Sequence, residues 1–256
     1  MTDNVPKYNV AFDHGKRSEY CVIVFVINEG KKLLKQLSRM RLHCESIDIV
    51  VADGGSSDGS TRHDVLSELN VRALLVKQDV GKLGSQMRIS FSWALNQGYK
   101  GVVVIDGNNK DSVENIPDFV TLLSMGYDHV QGSRFIEGGN AVNTPFSRLL
   151  GLKLLHAPLI RLSSGFSYTD TTNGFRAYSA NFLRSSEVGL FRKEFKGYEL
   201  HYYLAISAGK KGFKCIETPV TRTYPKGKVP TKISPIRGNI QVLVKLIECC
   251  LGKYDL

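Results

Sequence analysis

The sequence predicts an α/β fold, with a Rossmann-like, mostly parallel sheet flanked by helices and a C-terminal helical elaboration. Three observations predict it. Short, continuous apolar runs such as CVIVFVI at 21–27 alternate with helical stretches along the first half of the chain. The runs are apolar throughout rather than on alternate residues, as strands buried on both faces are. Gly/Ser/Asp-rich punctuation follows them, most clearly at 53–60. Strands and helices alternating at this spacing imply parallel strands joined by right-handed crossovers.

Residues 1–19 are polar with little periodicity and read as a mobile N-terminal arm or a short edge element. Strands are predicted at 21–27, 47–52, 71–76, 101–105 and 129–132. Between them, leucines at 33, 34 and 37 mark a helix over 31–40, and helices are predicted over 60–69 and 83–96. Another covers 118–125, with Pro117 near its first turn, where proline is tolerated. Beyond 132 the rhythm changes to a long apolar-basic helical stretch at 145–164 that Pro158 kinks or divides. A short strand at 174–178, a helix at 198–210, a strand at 214–220 and a last helix at 236–251 complete the reading. There is no internal repeat.

Composition narrows the function classes. In 256 residues, Lys+Arg number 34 and Asp+Glu 24, a net charge of +10. Hydrophobic residues make up 42%, enough for a core, so a disordered polycation is excluded. No apolar run approaches the roughly 18–20 residues of a membrane span. The first twenty residues lack a signal peptide's apolar region. Five cysteines without zinc-type spacing read as reduced and cytosolic. The excess charge calls for nucleic acid, an anionic membrane face or a phosphorylated substrate, or else it is a solvated basic surface. No RNP-type aromatic repeat, zinc finger or recognition-helix pattern supports nucleic acid.

In open parallel sheets, ligands bind outside the carboxyl ends of the strands. Acidic groups stand at three predicted strand ends: Asn28-Glu29, Asp53 and Asp106. A carboxylate there accepts hydrogen bonds from a nucleobase N–H or a ribose hydroxyl. The alternative is a surface turn in which Asp58 or Ser60 caps a helix. In Asp106-Gly107-Asn108-Asn109-Lys110-Asp111, a carboxylate with a neutral oxygen two residues on suits a hard divalent cation, Mg2+ or Mn2+, with Asp111 a further carboxylate. Lys110 offers a different solution, an ammonium that neutralises a diphosphate without metal. An Asx-rich turn is the structural reading.

Taken together, V-x-V-I-N-E at 24–29, V-A-D-G-G-S-S-D-G-S at 51–60, L-G-S at 83–85 and V-V-V-I-D-G-N at 102–108 resemble the family 2 glycosyltransferases of GT-A fold. Q-G-S-R-F at 131–135 and D-T-T-N-G-F-R-A-Y at 170–178 extend the resemblance to the branch that makes polyprenyl-phosphate sugars, the dolichyl-phosphate mannose and glucose synthase type. It covers roughly residues 20–222. It implies an inverting transfer from a nucleoside-diphosphate sugar to a polyprenyl phosphate or related lipid-linked acceptor. Asn28, Glu29, Asp53, Asp58, Asp106 and Lys110 would then bind the donor, with Asp106 and Asn108 at the metal. Asp106, Asp170 and Arg134 would be catalytic, and Arg134, Arg148 and Arg176 would hold the acceptor. The sequence departs from the family where Phe25 and Ile27 replace Pro and Tyr, where Gly54 replaces a second Asp, and where Asn108 and Lys110 alter the D-x-D motif.

The acceptor class stays open at this level. A phosphate acceptor is already ionised and needs cations, which the three arginines supply. A hydroxyl acceptor of a surface polysaccharide needs a general base, for which Asp170 and Glu199 are candidates. The implied domains are the arm at 1–19, a catalytic domain at 20–222, and a basic lid loop with a C-terminal amphipathic helix at 223–256. Arg222, Lys228 and Lys232 would be the lid's cations, closing over a diphosphate. The stretch at 148–162 is apolar with interspersed cations and that at 240–251 carries a one-sided apolar face; either suits an anionic membrane surface or packing within the domain, and the second also a homo-oligomer contact. A cytoplasmic protein, peripheral on the inner face of the membrane, is the location this implies.

Overall fold

A computed structural model describes residues 4–225 and 237–256 of the chain. Its strands are β1 (Tyr8–Asp13), β2 (Tyr20–Val26), β3 (Asp48–Asp53), β4 (Val71–Lys77), β5 (Gly101–Asp106), β6 (His129–Ser133), β7 (Asn140–Val142), β8 (Arg176–Ser179), β9 (Cys215–Pro219) and β10 (Thr221–Thr223). The helices are α1 (Lys31–His43), α2 (His63–Glu68), α3 (Leu83–Asn96), α4 (Ile116–Ser124), α5 (Phe146–Gly151), α6 (Ala157–Ser164), α7 (Ala180–Arg184), α8 (Glu199–Lys210) and α9 (Arg237–Cys250). A π-helical turn at Leu152–His156 joins α5 to α6. Pro158 therefore falls in the first turn of α6, where its missing N–H costs little.

The large sheet runs β1-β4-β3-β2-β5-β8-β6-β9. β4, β3, β2 and β5 are parallel, whereas β8 runs antiparallel between β5 and β6. β2 shows why its sequence is apolar without alternation. Cys21, Ile23 and Phe25 face one core cluster, shared with Met87 and Phe91 of α3 and Leu200 of α8. Val22, Val24 and Val26 face another, shared with Leu33 and Leu37 of α1 and Phe119 of α4. A strand covered on both faces needs apolar residues at every position.

Residues 8–13 form an edge strand, antiparallel to β4. A second, two-stranded sheet pairs β7 with β10 in parallel. Backbone bonds tie it to the loop after β5: Ser112 N–H donates to Thr221 O at 2.9 Å and Thr223 N–H to Lys110 O at 2.8 Å. That stitching carries Arg222 and Tyr224 to the carboxyl end of β5, although they lie more than a hundred residues away in sequence.

Candidate active site

The carboxyl ends of β2, β3 and β5 are brought together by two polar devices. Gln86, buried in the first turns of α3, donates its side-chain amide to Val26 O and Ala52 O, both at 3.0 Å, and so ties the ends of β2 and β3. Gly54 follows β3, and a Cβ there would stand 3.0 Å from Gln86 Nε2 and 3.3 Å from Val26 O. A side chain at that position would press on Gln86 and on the end of β2, which favours glycine. No local pattern singles out Gln86 beyond its place beside the L-G-S motif.

The residues expected at the donor bond within and between the loops that follow β2 and β3. Asp53 is buried, and its Oδ1 accepts from Gly55 N–H, Ser56 N–H and Ser56 Oγ–H while Oδ2 accepts from Thr61 Oγ1–H. Asn28 takes a left-handed backbone, φ 49°, and its Oδ1 accepts from Ser57 N–H at 2.8 Å. Asp58 is exposed and accepts from Gly30 N–H and from Ser60 N–H and Oγ–H, whereas α2 has Arg62 at its N-cap with no side-chain capping bond, so neither Asp58 nor Ser60 caps that helix. Glu29 lies 3.9 Å from Lys32 Nζ.

Beyond β5, charges of both signs converge. Asp106, one third exposed, accepts from Arg222 Nη2–H at 3.3 Å. The other Arg222 nitrogen, Nη1, donates to Asp111 Oδ2, and Asp111 is fully buried. Burial opposes the charge on Arg222, but Asp111 and Asp106 more than restore it, so the guanidinium stays protonated. Lys110 sits beside this pair, and burial followed by Arg222 depresses its pKa. Tyr224 lies at the centre: Lys110 Nζ stands 5.1 Å from its ring centroid, Arg148 Cζ 5.4 Å and Arg222 Cζ 5.7 Å. Arg148 Nη1 also donates to the phenol oxygen at 3.4 Å. Burial alone would raise the pKa of that phenol, and Arg222, Arg134 and Arg148 more than offset this and lower it. The result is a buried tyrosine that holds cations from both ends of the site. Sequence reasoning passed over Tyr224; its one signal was an aromatic residue set in a basic stretch.

Several expected roles change. Arg176 is not an acceptor-binding residue. It is buried, and its Nε, Nη1 and Nη2 donate to the backbone carbonyls of Asn173, His201 and Thr171 at 2.7–3.0 Å. Arg222 is not a mobile lid cation, because it belongs to β10 and is clamped between two carboxylates. Lys228 and Lys232 lie outside the described residues. Arg134 and Asp170 bind each other, with Nε to Oδ2 at 2.6 Å and Nη2 to Oδ1 at 2.9 Å, and both are buried. The two branch-specific motifs are therefore halves of one ion pair. Asp170 also accepts from the backbone N–H groups of Thr172 and Asn173. Glu199 is buried and accepts from Lys196 N–H and Gly197 N–H.

The polyprenol monophosphomannose synthase of Mycolicibacterium smegmatis is 30% identical over 205 residues, covering 79% of this chain and 76% of that protein. The chain belongs to the family 2 glycosyltransferases of GT-A fold. The undecaprenyl-phosphate mannosyltransferase of Micrococcus luteus is 29% identical over 204 residues, covering 78% and 81%. No family model matches. Among solved structures, the glucosyl-3-phosphoglycerate synthase of Mycobacterium tuberculosis, in complex with Mn2+, UDP-glucose and phosphoglyceric acid, superposes with a TM-score of 0.65 at 16% identity. That likeness spans 91% of this chain and 80% of that one, and it shows the same fold.

A divalent ion in this glycosyltransferase would rest on few protein ligands. Among the described residues no group of three His, Cys, Asp or Glu side chains is placed to hold one. Asn108 turns its amide nitrogen to Asp106 Oδ2 at 3.2 Å, and its oxygen accepts from Lys110 N–H at 3.2 Å with a second lone pair to spare. Asp106 is left as the accessible carboxylate. Mg2+ is commonly bound through one or two carboxylates together with substrate phosphates. The donor set therefore fits an ion that arrives with a diphosphate, and it is too sparse to hold one alone.

Proposed function

We propose that this glycosyltransferase moves a sugar, with inversion, from a nucleoside-diphosphate sugar to a polyprenyl phosphate. The observation that carries this reading is the cation set around Tyr224. Lys110 and Arg222 stand beside Asp106 at the strand end, and Arg148 approaches the same ring from α5. The names of its relatives, which act on polyprenol, undecaprenyl and dolichyl phosphates, support the acceptor class. An acceptor phosphate oxygen attacks the anomeric carbon as the bond to the donor diphosphate breaks. Lys110 is placed to stabilise the charge that grows on that leaving group, and Arg148 to orient the attacking phosphate. A divalent ion held by Asp106 would supply further positive charge to the diphosphate.

A hydroxyl acceptor would need a base. Both candidate carboxylates are engaged elsewhere, Asp170 by Arg134 and Glu199 by two backbone N–H groups, which favours the already ionised phosphate. The reading is tested by supplying labelled UDP- and GDP-sugars with undecaprenyl phosphate and following transfer into the lipid phase, with the anomeric configuration of the product read by NMR. Transfer to a glycan hydroxyl with none to the lipid phosphate would overturn it.

Three further results are expected. Mn2+ alone should leave Tm unchanged, whereas Mn2+ added with the donor nucleotide should raise it above the nucleotide-only value, because ligands that bind only the folded state stabilise it. With Lys110 beside the diphosphate, wild-type enzyme should retain part of its turnover in EDTA. Lys110→Ala should lose about tenfold or more in metal and nearly all of its turnover in EDTA. Equal EDTA sensitivity of the two proteins would remove Lys110 from this role. Tyr224→Phe, which deletes the phenol that anchors Arg148, should raise the acceptor KM by about three- to tenfold and change kcat less.

A further inference from the structure

Glu217, on the edge strand β9, lies apart from the cation set around Tyr224, yet it gathers three donors from the loop that leads into β8. Its Oε1 accepts from Thr169 N–H at 2.9 Å and Asp170 N–H at 3.1 Å, and its Oε2 accepts from Thr169 Oγ1–H at 2.6 Å. The register of β6 and β9 pairs Glu217 with Gln131, so its side chain leaves the sheet on the face that Gln131 and Ser133 share. Ser133 Oγ lies 2.6 Å from Thr169 Oγ1 and accepts from Phe135 N–H at 3.1 Å.

An ionised carboxylate only accepts hydrogen bonds, and this fixes the direction of the chain. Thr169 gives its hydroxyl proton to Glu217, its oxygen accepts from Ser133 Oγ–H, and Ser133 in turn accepts from Phe135 N–H. The Q-G-S-R-F turn and the Asp170 loop are thereby joined twice, once by Arg134 forked onto Asp170 and once through Glu217. Burial pushes the Glu217 carboxyl pKa upward, and the bonds from Thr169 and Asp170 work against that. At the far end of the same loop, a Cβ on Gly174 would stand 3.5 Å from Asp106 Oδ1, so the backbone there passes against the carboxylate that ends β5.

We propose that Glu217 is a positioning residue for the transfer, holding the loop at 169–174 against Asp106 through bonds that need both of its oxygens as acceptors. It acts through Thr169 and Asp170. The need for two acceptors separates this role from space filling. In Glu217→Gln the side chain keeps its shape, but its NH2 must face either Thr169 Oγ1 or two backbone N–H groups. The first orientation forces the hydroxyl chain to reverse, and the second sets donor against donor. The proposal rests on the transfer reading for its assay, whereas the order of the loop does not depend on which acceptor is used.

Kinetics below the melting temperature of each variant, with amide exchange followed by NMR, test it. Glu217→Gln should lower kcat about tenfold, the scale of one lost hydrogen bond, and leave the donor KM within about twofold. The Thr169 and Asp170 amides should exchange at least about tenfold faster than in the wild type, with those of β2 unchanged. Thr169→Val removes one hydroxyl without changing shape and should lose a similar share of kcat, and it carries the test if Glu217→Gln melts too low to assay. Thr169→Ser, which keeps the hydroxyl, should recover most of that loss. Glu217→Gln/Thr169→Val should lose little beyond either single variant, because both cut the same bond. Wild-type kcat in Glu217→Gln and Thr169→Val, losses that multiply in the double variant, or unchanged exchange at Thr169 and Asp170 would overturn the proposal. If the wild type glycosylates a glycan hydroxyl and no lipid phosphate, the functional reading fails. The same variants assayed on that acceptor, and the same exchange rates, then still decide the role of Glu217.

Discussion

Asp106→Asn is expected to lower turnover by about two to three orders of magnitude while leaving stability close to that of the wild type. Asp106 is the strand-end carboxylate that keeps access to solvent, and it is the protein ligand that a diphosphate-bound cation would use. Asparagine preserves its shape and removes its charge. The cost to the fold is small because Arg222 keeps its second and more deeply buried partner, Asp111. The check is kcat with a donor sugar and an acceptor phosphate at saturating Mn2+, alongside a thermal melt. A variant within threefold of wild-type turnover would remove Asp106 from the chemistry. Arg222→Met gives the contrast. It strands the Asp111 carboxylate in a site from which burial already pushes its pKa upward, so its activity loss should come with a large loss of stability.

The contrast also marks what a sequence makes legible. Asp53 and Asp106 could be placed because each closes an apolar strand, and strand ends are where ligands bind in such sheets. The major strands were legible because burial on both faces writes an apolar residue at every position, as in β2. β1 was harder to read, since it is a short edge strand exposed along most of its length, with no alternation to mark a buried face. β7 and β10 have three residues each and exist only through pairing across about eighty residues, which no local pattern announces. Partner choice was illegible for the same reason. Arg134, Arg148, Arg176 and Arg222 look alike in sequence, yet one meets a buried aspartate, one a tyrosine, one three carbonyls and one two carboxylates. Counting arginines therefore overstated the cations free for phosphate. The tertiary structure sets Arg148 and Lys110 beside Tyr224, with Arg222 held by two carboxylates.

The pair Arg134–Asp170 yields the largest expected stability effect. Arg134→Met should cost about 3–5 kcal/mol in urea unfolding, because it leaves the Asp170 carboxylate buried without its counter-charge. Asp170→Asn should cost a similar amount from the other side, with Arg134 left as a buried cation. The informative variant is Arg134→Met/Asp170→Asn. Asparagine still offers an oxygen to the Thr172 and Asn173 N–H groups, so the loop before β8 keeps an acceptor, and no unpaired charge remains. The double variant should therefore be more stable than the sum of the single losses predicts, by about 2 kcal/mol or more, as expected for residues in direct contact. Turnover distinguishes scaffold from catalyst. If the pair only holds the 170–173 loop in place, the double variant should recover activity in step with stability. If Arg134 also touches the acceptor phosphate, stability should return while kcat stays low. The first outcome is expected, since the Arg134 guanidinium is already forked onto Asp170 and donates to Thr172 Oγ1 at 2.9 Å.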